Sequence, residues 1–264
     1  MAFAAIGNNV LHYVSTGAKN KPALVLANSL GSDLHIWDDV AEQLSEYFRI
    51  VRYDKRGHGL SEASPPPYSA RDLSEDVVAL LDLLEISQAV ICGVSVGGII
   101  AQSLAMDHPE RVRALVLSDT GARIGSVESW QQRIATVRES GLQALKEPTM
   151  ERWFSQQFRQ GHAAAVRGYS TMLMKTAPEG YLGICCALGD ADFRPTVSQI
   201  KLPTLVLCGD EDIATPPELG RELASLIAGS KFSLIEGSGH LPCIENPVEV
   251  AERMLKFFRE VQIV

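Results

Sequence analysis

Short, nearly unbroken apolar runs punctuate the chain at Ala23–Ala27, Arg49–Tyr53, Ala89–Gly93, Ala114–Ser118, Thr204–Cys208 and Lys231–Ile235. A strand with one wet face alternates apolar and polar residues. Continuous apolarity instead predicts parallel strands buried on both faces. Between the runs the spacing changes to every third or fourth residue. Leu73, Val77, Leu80, Leu81 and Leu84 predict an amphipathic helix over 70–84, and Val250, Met254, Phe257 and Phe258 predict another over 249–261. Strands alternating with helices put the chain in the α/β class, with a mostly parallel central sheet and helices on both faces.

One stretch breaks this rhythm. Residues 121–195 hold no Val/Ile-rich run and read as short helices, among them Ser129–Glu139, Gly141–Lys146 and Met150–Phe158. The expected organisation is a core of 1–120 plus 196–264, with 121–195 inserted as a helical lid over the strand ends. No internal repeat or low-complexity segment interrupts either part.

Composition narrows the function classes. The chain's 264 residues include 24 Lys plus Arg against 32 Asp plus Glu, a net charge of −8. Nucleic-acid binding needs clustered basic surface and is disfavoured. No apolar run approaches the ~20 residues of a membrane helix, and no basic segment precedes an apolar run near Met1, so neither a membrane span nor a secretory signal is expected. Cys92, Cys185, Cys186, Cys208 and Cys243 show no metal or redox spacing. They are expected to be reduced and structural, which points to the cytoplasm. No metal cluster or dinucleotide loop is legible, so no cofactor is implied.

Chemistry concentrates at Gly93-Val94-Ser95-Val96-Gly97-Gly98, which follows a strand run and precedes the helix-like Ile99–Met106. This is G-x-S-x-G in the strand–turn–helix setting of a nucleophile elbow, whose tight turn demands glycine two residues either side of the serine. A serine needs a base held by a third group. His240, in Gly237-Ser-Gly-His240, follows the strand run ending at Ile235. Gly209-Asp210-Glu211-Asp212 follows another and offers three carboxylates. Asp212 is preferred because it lies furthest out on its loop, and Asp210 is read as a turn residue. His12, His35, His108 and His162 show no accompanying acid or glycine pattern. The alternative to a catalytic reading of Gly93–Gly98 is a glycine-rich turn that does nothing but join strand to helix.

Gly93–Gly98, Tyr53-Asp-Lys-Arg-Gly-His-Gly-Leu-Ser61, Gly209–Asp212 with Ala214-Thr-Pro-Pro217, and Gly239-His240 resemble the α/β-hydrolase superfamily over almost the whole chain. The order Ser95, Asp212, His240 is that of its members. Within it, Asn28–Trp37, Ile124–Trp130 with Arg133, and Gly209–Pro216 resemble 3-oxoadipate enol-lactonases, bacterial enzymes that open β-ketoadipate enol-lactone during aromatic-compound breakdown. The resemblance implies Ser95 as nucleophile, His240 as base, Asp212 as its partner, and an oxyanion hole of the Val96 and Leu30 amides. Asn28-Ser29 departs from the His-Gly that many relatives carry there. Asp54, Arg56 and His58 are expected to organise a loop near the site rather than react.

An enol-lactone of this kind carries a carboxylate away from the reacting carbonyl. Arg133 lies three residues after Trp130 on one face of an expected helix, so Arg133 is the candidate for the carboxylate and Trp130 for the ring. A solvated Arg133 beside a packed Trp130 is the alternative. The charge divides in the same sense: residues 121–195 hold nine basic and seven acidic side chains, +2, leaving −10 on the rest. The expected partner is thus a small anionic lactone. Rival readings are another serine carboxylesterase or carbon–carbon bond hydrolase, and a ligand-binding receptor on the same fold. Oligomeric state is not legible.

Overall fold

The computed structural model describes residues 2–264. Its centre is one eight-stranded sheet of β1 (Ala2–Ile6), β2 (Asn9–Thr16), β3 (Ala23–Ala27), β4 (Arg49–Tyr53), β5 (Ala89–Val94), β6 (Val112–Ser118), β7 (Thr204–Gly209) and β8 (Lys231–Ile235). The spatial order is β1-β2-β4-β3-β5-β6-β7-β8. Strands β3 to β8 run parallel, while β2 is antiparallel to both its neighbours. The six apolar runs are the six parallel strands, and every residue of β5 and β7 is buried.

The β1–β2 hairpin is an addition to the sequence reading. Its first strand alternates in burial, with exposed Ala5 between buried Ala4 and Ile6, because an edge strand faces water on one side. A two-residue turn joins the strands, and Gly7 takes its first position at φ +56°, the glycine-first geometry that suits tight hairpins.

Helices α1 (Asp38–Leu44), α2 (Ala70–Leu83) and α3 (Val96–Asp107) connect successive parallel strands. The step from β3 to β4 runs one way along the sheet, whereas β4 to β5 and β5 to β6 run the other way. Right-handed crossovers therefore place α1 on one face and α2 and α3 on the opposite face. The helix over 70–84 ends one residue early and opens on a capping box between Ser69 and Asp72.

Between β6 and β7 lie α4 (Val127–Ser140), α5 (Lys146–Trp153), α6 (Gln156–Gly161), α7 (Ala163–Met174) and α8 (Pro178–Asp190). Two expectations change here. Leu142–Leu145 is a single tight 3-10 turn leading into α5 rather than part of a helix over 141–146. The helix expected over 150–158 is broken: Phe154 is extended at φ −126°, ψ 142°, and the Ser155 hydroxyl accepts from the Phe158 amide to start α6. Side-chain capping by serine competes with helix continuation. The Ser155 amide and hydroxyl also both donate to Glu245. The chain closes with α9 (Pro217–Leu226), α10 (Pro242–Glu245) and α11 (Pro247–Glu260). Among the described residues no helix is long and apolar enough to cross a membrane.

Candidate active site

The connections leaving β3 and β5 diverge, so a crevice opens where these neighbouring strands end. Ser95 follows β5 there, at φ 60° and ψ −120°, a conformation that L-residues rarely adopt and that costs of order 1–3 kcal/mol. Two bonds hold it: the Ser95 amide donates to the Ser118 carbonyl at 3.0 Å, and the Thr120 hydroxyl donates to the Ser95 carbonyl at 2.9 Å. The flanking glycines are steric necessities. A Cβ on Gly93 would lie 2.1 Å from the Gly97 carbonyl, and one on Gly97 would lie 2.4 Å from the Ala27 carbonyl.

Asp212 lies three residues beyond β7 and His240 five beyond β8, both buried. His240 Nδ1 is 2.9 Å from Asp212 Oδ2. The other carboxylate oxygen accepts from the Ala214 and Thr215 amides at 2.7 and 3.0 Å. Burial alone would raise the Asp212 pKa, but the facing His240 and the Thr215 hydroxyl and amide outweigh it and hold the carboxyl below the usual range. Asp210 stays outside this network and accepts from the Ser238 amide, tying the two loops together. The Ser95 hydroxyl faces the same cavity as His240 without a hydrogen bond between them, a spacing common where no substrate tightens the site.

Two amides beside this space are unpaired among the described residues: Leu30 borders the cavity, and Val96 directly follows Ser95 in the chain. Val96 opens α3, so its N–H has no partner within the helix. The Leu30 N–H finds no acceptor among the described residues. Leu30 belongs to a buried loop after β3 that neighbouring side chains fasten. His58 Nε2 accepts from the Gly31 amide at 3.0 Å, and Asn28 Nδ2 donates to the Ser32 carbonyl at 2.5 Å. Burial first, and the nearby Lys55 charge second, hold the His58 pKa well below its ordinary value, so its ring is neutral and can accept. Asp54 accepts from the Leu34 and Leu60 amides, and Arg56 chelates Asp76 at 2.6 and 2.7 Å. These three side chains organise loops.

Ser95, His240 and Leu30 line a cavity of about 280 Å³ together with Trp130, Arg133 and Arg152. The Arg133 guanidinium sits 5.1 Å from the centre of the Trp130 ring, whose Nε1–H donates to the Ile124 carbonyl. That face of Trp130 is therefore taken by Arg133. Burial first, and then the Arg133 charge, lower the Arg152 pKa. Neither arginine has a carboxylate partner within 4.0 Å among the described residues, whereas Arg123 and Arg194 share Asp192.

Several residues here carry no distinguishing signal in sequence. Arg152, in Glu-Arg-Trp, reads as any surface arginine until the helix places it. Thr215 lies within the Ala214–Pro217 motif, but its hydroxyl contact appears only in three dimensions. Asp119, directly after β6, is fully buried and accepts from the Ser118 hydroxyl at 2.5 Å and the Gly209 amide at 2.8 Å. Its donor atoms, with those of Cys208 and Asp212, lie within 4.8 Å of one another. Burial and the Asp212 charge push its pKa well up. Three histidines read as lacking an acid acquire one in space: His12 with Asp54, His35 with Asp38 and His108 with Glu75. None of the three borders the cavity. All five cysteines are free.

Comparison with known proteins places this geometry. Residues 22–247 match the α/β hydrolase fold family. The chain is 37% identical to 3-oxoadipate enol-lactonase 2 of Acinetobacter baylyi, over 90% of this chain and 88% of that one. It is 31% identical to a putative non-heme bromoperoxidase of Mycobacterium tuberculosis, over 83% and 86%. The crystal structure of an enol-lactonase from Burkholderia xenovorans superposes with a TM-score of 0.95 at 38% identity, covering 98% of this chain and all of that one. An elbow serine after the fifth strand, an acid and a histidine after the seventh and eighth, and matches of this extent give one conclusion: the chain is a hydrolase belonging to the α/β hydrolase fold family.

Proposed function

We propose that the protein opens 3-oxoadipate enol-lactone with water to give 3-oxoadipate, as a cytoplasmic step in bacterial aromatic-compound breakdown. The observation that carries this reading is the pair Arg133 and Arg152, both half-buried and without acid partners among the described residues, in the same cavity as Ser95. Two such cations call for an anionic substrate. Its similarity to 3-oxoadipate enol-lactonases supplies the kind of anion.

Ser95 attacks the lactone carbonyl while His240 takes its proton, and Asp212 holds the imidazole tautomer and balances the charge that forms. The Leu30 and Val96 amides receive the oxyanion, where each donor of this kind is worth roughly 10²–10³ in rate. Collapse breaks the ring C–O bond and leaves an acyl-enzyme with the enolate still tethered. An enolate leaves readily, so little acid assistance is needed. The enolate takes the Ser95 proton from His240, whose freed imidazole then activates a water that releases the acid, and the enol tautomerises to the 3-oxo group. Direct attack by a water under His240 is the competing route. Residues 121–195 act as the lid on a core of 1–120 and 196–264, and bring the cations.

A substrate panel tests this. Loss of β-ketoadipate enol-lactone absorbance should proceed with kcat/KM at least about a hundredfold above that for a neutral aryl ester, since two half-buried cations without acid partners favour an anion. Equal or better hydrolysis of the aryl ester would make the protein a carboxylesterase instead.

A further inference from the structure

Lys55 is a lysine with 1% of its surface exposed. Its ammonium has no carboxylate within 4.0 Å among the described residues. It donates to the Ser29 carbonyl at 2.5 Å and to the Ser32 carbonyl at 3.3 Å. The Ser29 oxygen also accepts from the Ser32 hydroxyl at 3.0 Å and the Ser32 amide at 3.3 Å. Three donors thus converge on one carbonyl, and one of them is a cation.

That carbonyl belongs to the peptide unit whose nitrogen is Leu30. A trans peptide is planar, with its C=O and N–H pointing in opposite directions. With the Ser29 oxygen held against Lys55, the Leu30 N–H must face away from it, and both residues border the cavity that contains Ser95. A positive donor on the carbonyl also draws electron density through the amide, which strengthens its N–H as a donor. We propose that Lys55 is a positioning residue for the reaction: through the Ser29–Leu30 peptide it aims and polarises the Leu30 N–H toward the developing oxyanion. This rests on the role given above to Leu30 and Ser95.

A neutral donor would suffice to fasten the loop. Keeping a cation there is costly, because desolvation opposes charge on a fully buried amine. Burial lowers the Lys55 pKa to about 7, against the opposing pull of Asp54 and Asp33. Those two carboxylates and neutral His58 are the titratable groups that face it. The amine is therefore charged below neutral pH and loses its proton as the pH rises through about 7.

The test is Lys55→Met, which keeps the apolar stem and removes the donor. Its kcat should fall about ten- to a hundredfold, less than for deletion of an oxyanion donor outright, with KM changed less than twofold. Affinity for phenylboronic acid, which forms an anionic tetrahedral adduct on a nucleophilic serine, should fall by the same factor, while affinity for adipate, which mimics only the ground state, should stay. A variant that melts earlier but keeps kcat and boronate affinity would overturn the proposal, as would parallel losses for boronate and adipate. Should the variant fail to fold, NMR on the unmodified protein decides. The Leu30 amide proton should move upfield with the same apparent pKa as the Lys55 ε-methylene, and an amide that ignores that titration overturns the proposal. If the unmodified protein itself fails to bind the boronate, the Ser95 reading fails and takes this one with it. If it binds and Lys55→Met binds equally, only the Lys55 role fails.

Discussion

The Thr215 hydroxyl donates to Asp212 at 2.6 Å, on the same carboxylate oxygen that faces His240 Nδ1 at 2.9 Å, and is itself 3.2 Å from that nitrogen. One oxygen thus serves two neighbours, and the hydroxyl helps to keep it ionised. A hydrogen bond to a charged group is worth about 1.5–3 kcal/mol. Thr215→Val should lower kcat by roughly tenfold or more with KM unchanged, and Thr215→Ser should restore most of it. Because the folded-state pKa of Asp212 lies below its unfolded value, its contribution to stability is full above pH ~4 and is lost as the pH falls through the folded pKa. The valine variant should therefore lose stability at a higher pH on acidification. Acid-unfolding curves of the two proteins check this, and superimposable curves would remove the Thr215 role.

Asp119 stands in the opposite state. Burial and the Asp212 charge raise its pKa, which favours its protonated form. Asn is close in shape to a protonated Asp. Asp119→Asn should keep kcat within about threefold, whereas Asp212→Asn should cost on the order of 10⁴ by fixing the wrong imidazole tautomer. An acid with a raised folded pKa gives stability that is full below its unfolded pKa and lost as pH rises toward the folded one. Replacing it removes that loss. Relative to the parent, Asp119→Asn should gain stability as pH rises from 4 to 8, measured by denaturant midpoints, and a constant difference would mean that Asp119 is ionised throughout.

The strained elbow gives a prediction on stability as well as rate. Ser95→Ala should reduce turnover by about four orders of magnitude or more, as for a missing nucleophile. Near-normal turnover would favour direct attack by water. Glycine ordinarily destabilises relative to alanine through chain entropy, by roughly 0.5–1 kcal/mol. At φ 60°, ψ −120° the order should reverse, so that Ser95→Gly melts above Ser95→Ala, and calorimetry of the two inactive variants reads the difference directly.

How much of this was visible in the sequence follows from what kind of physics each feature uses. The inner parallel strands announce themselves because burial on both faces favours Val, Ile and Leu, whereas Ala2–Ile6 is apolar but mostly alanine and alternates only in its burial at a wet edge. Gly93 and Gly97 are legible because a backbone clash permits few residues there, and Ser95 by its place between them. Asp212 and His240 are legible as acid and histidine on loops after strands. The break at Phe154–Ser155 is not, since Ser155 is held by Glu245, ninety residues away. Arg152, Thr215, Asp119 and Lys55 take their meaning only from what the fold sets beside them, and no local spacing encodes such a neighbour.

The two cavity arginines give the sharpest test of substrate choice. Burial first, and then the Arg133 guanidinium resting on the Trp130 ring, oppose charge on Arg152, and a bound carboxylate would offset both. Removing one partner of a charge-assisted bond costs about 1.5–3 kcal/mol. Arg133→Ala and Arg152→Ala should each raise KM for the anionic lactone by roughly ten- to a hundredfold, with kcat changed much less. The same variants should hydrolyse a neutral aryl ester with KM near that of the parent, because no anion is there to lose its partner. Two cations serving one carboxylate also couple, and the double variant should cost less than the sum of the single effects. The free proteins offer an independent reading. Arg133→Ala and Arg152→Ala should each gain less in melting temperature than the parent on adding adipate. Full adipate stabilisation in both single variants would place the carboxylate elsewhere.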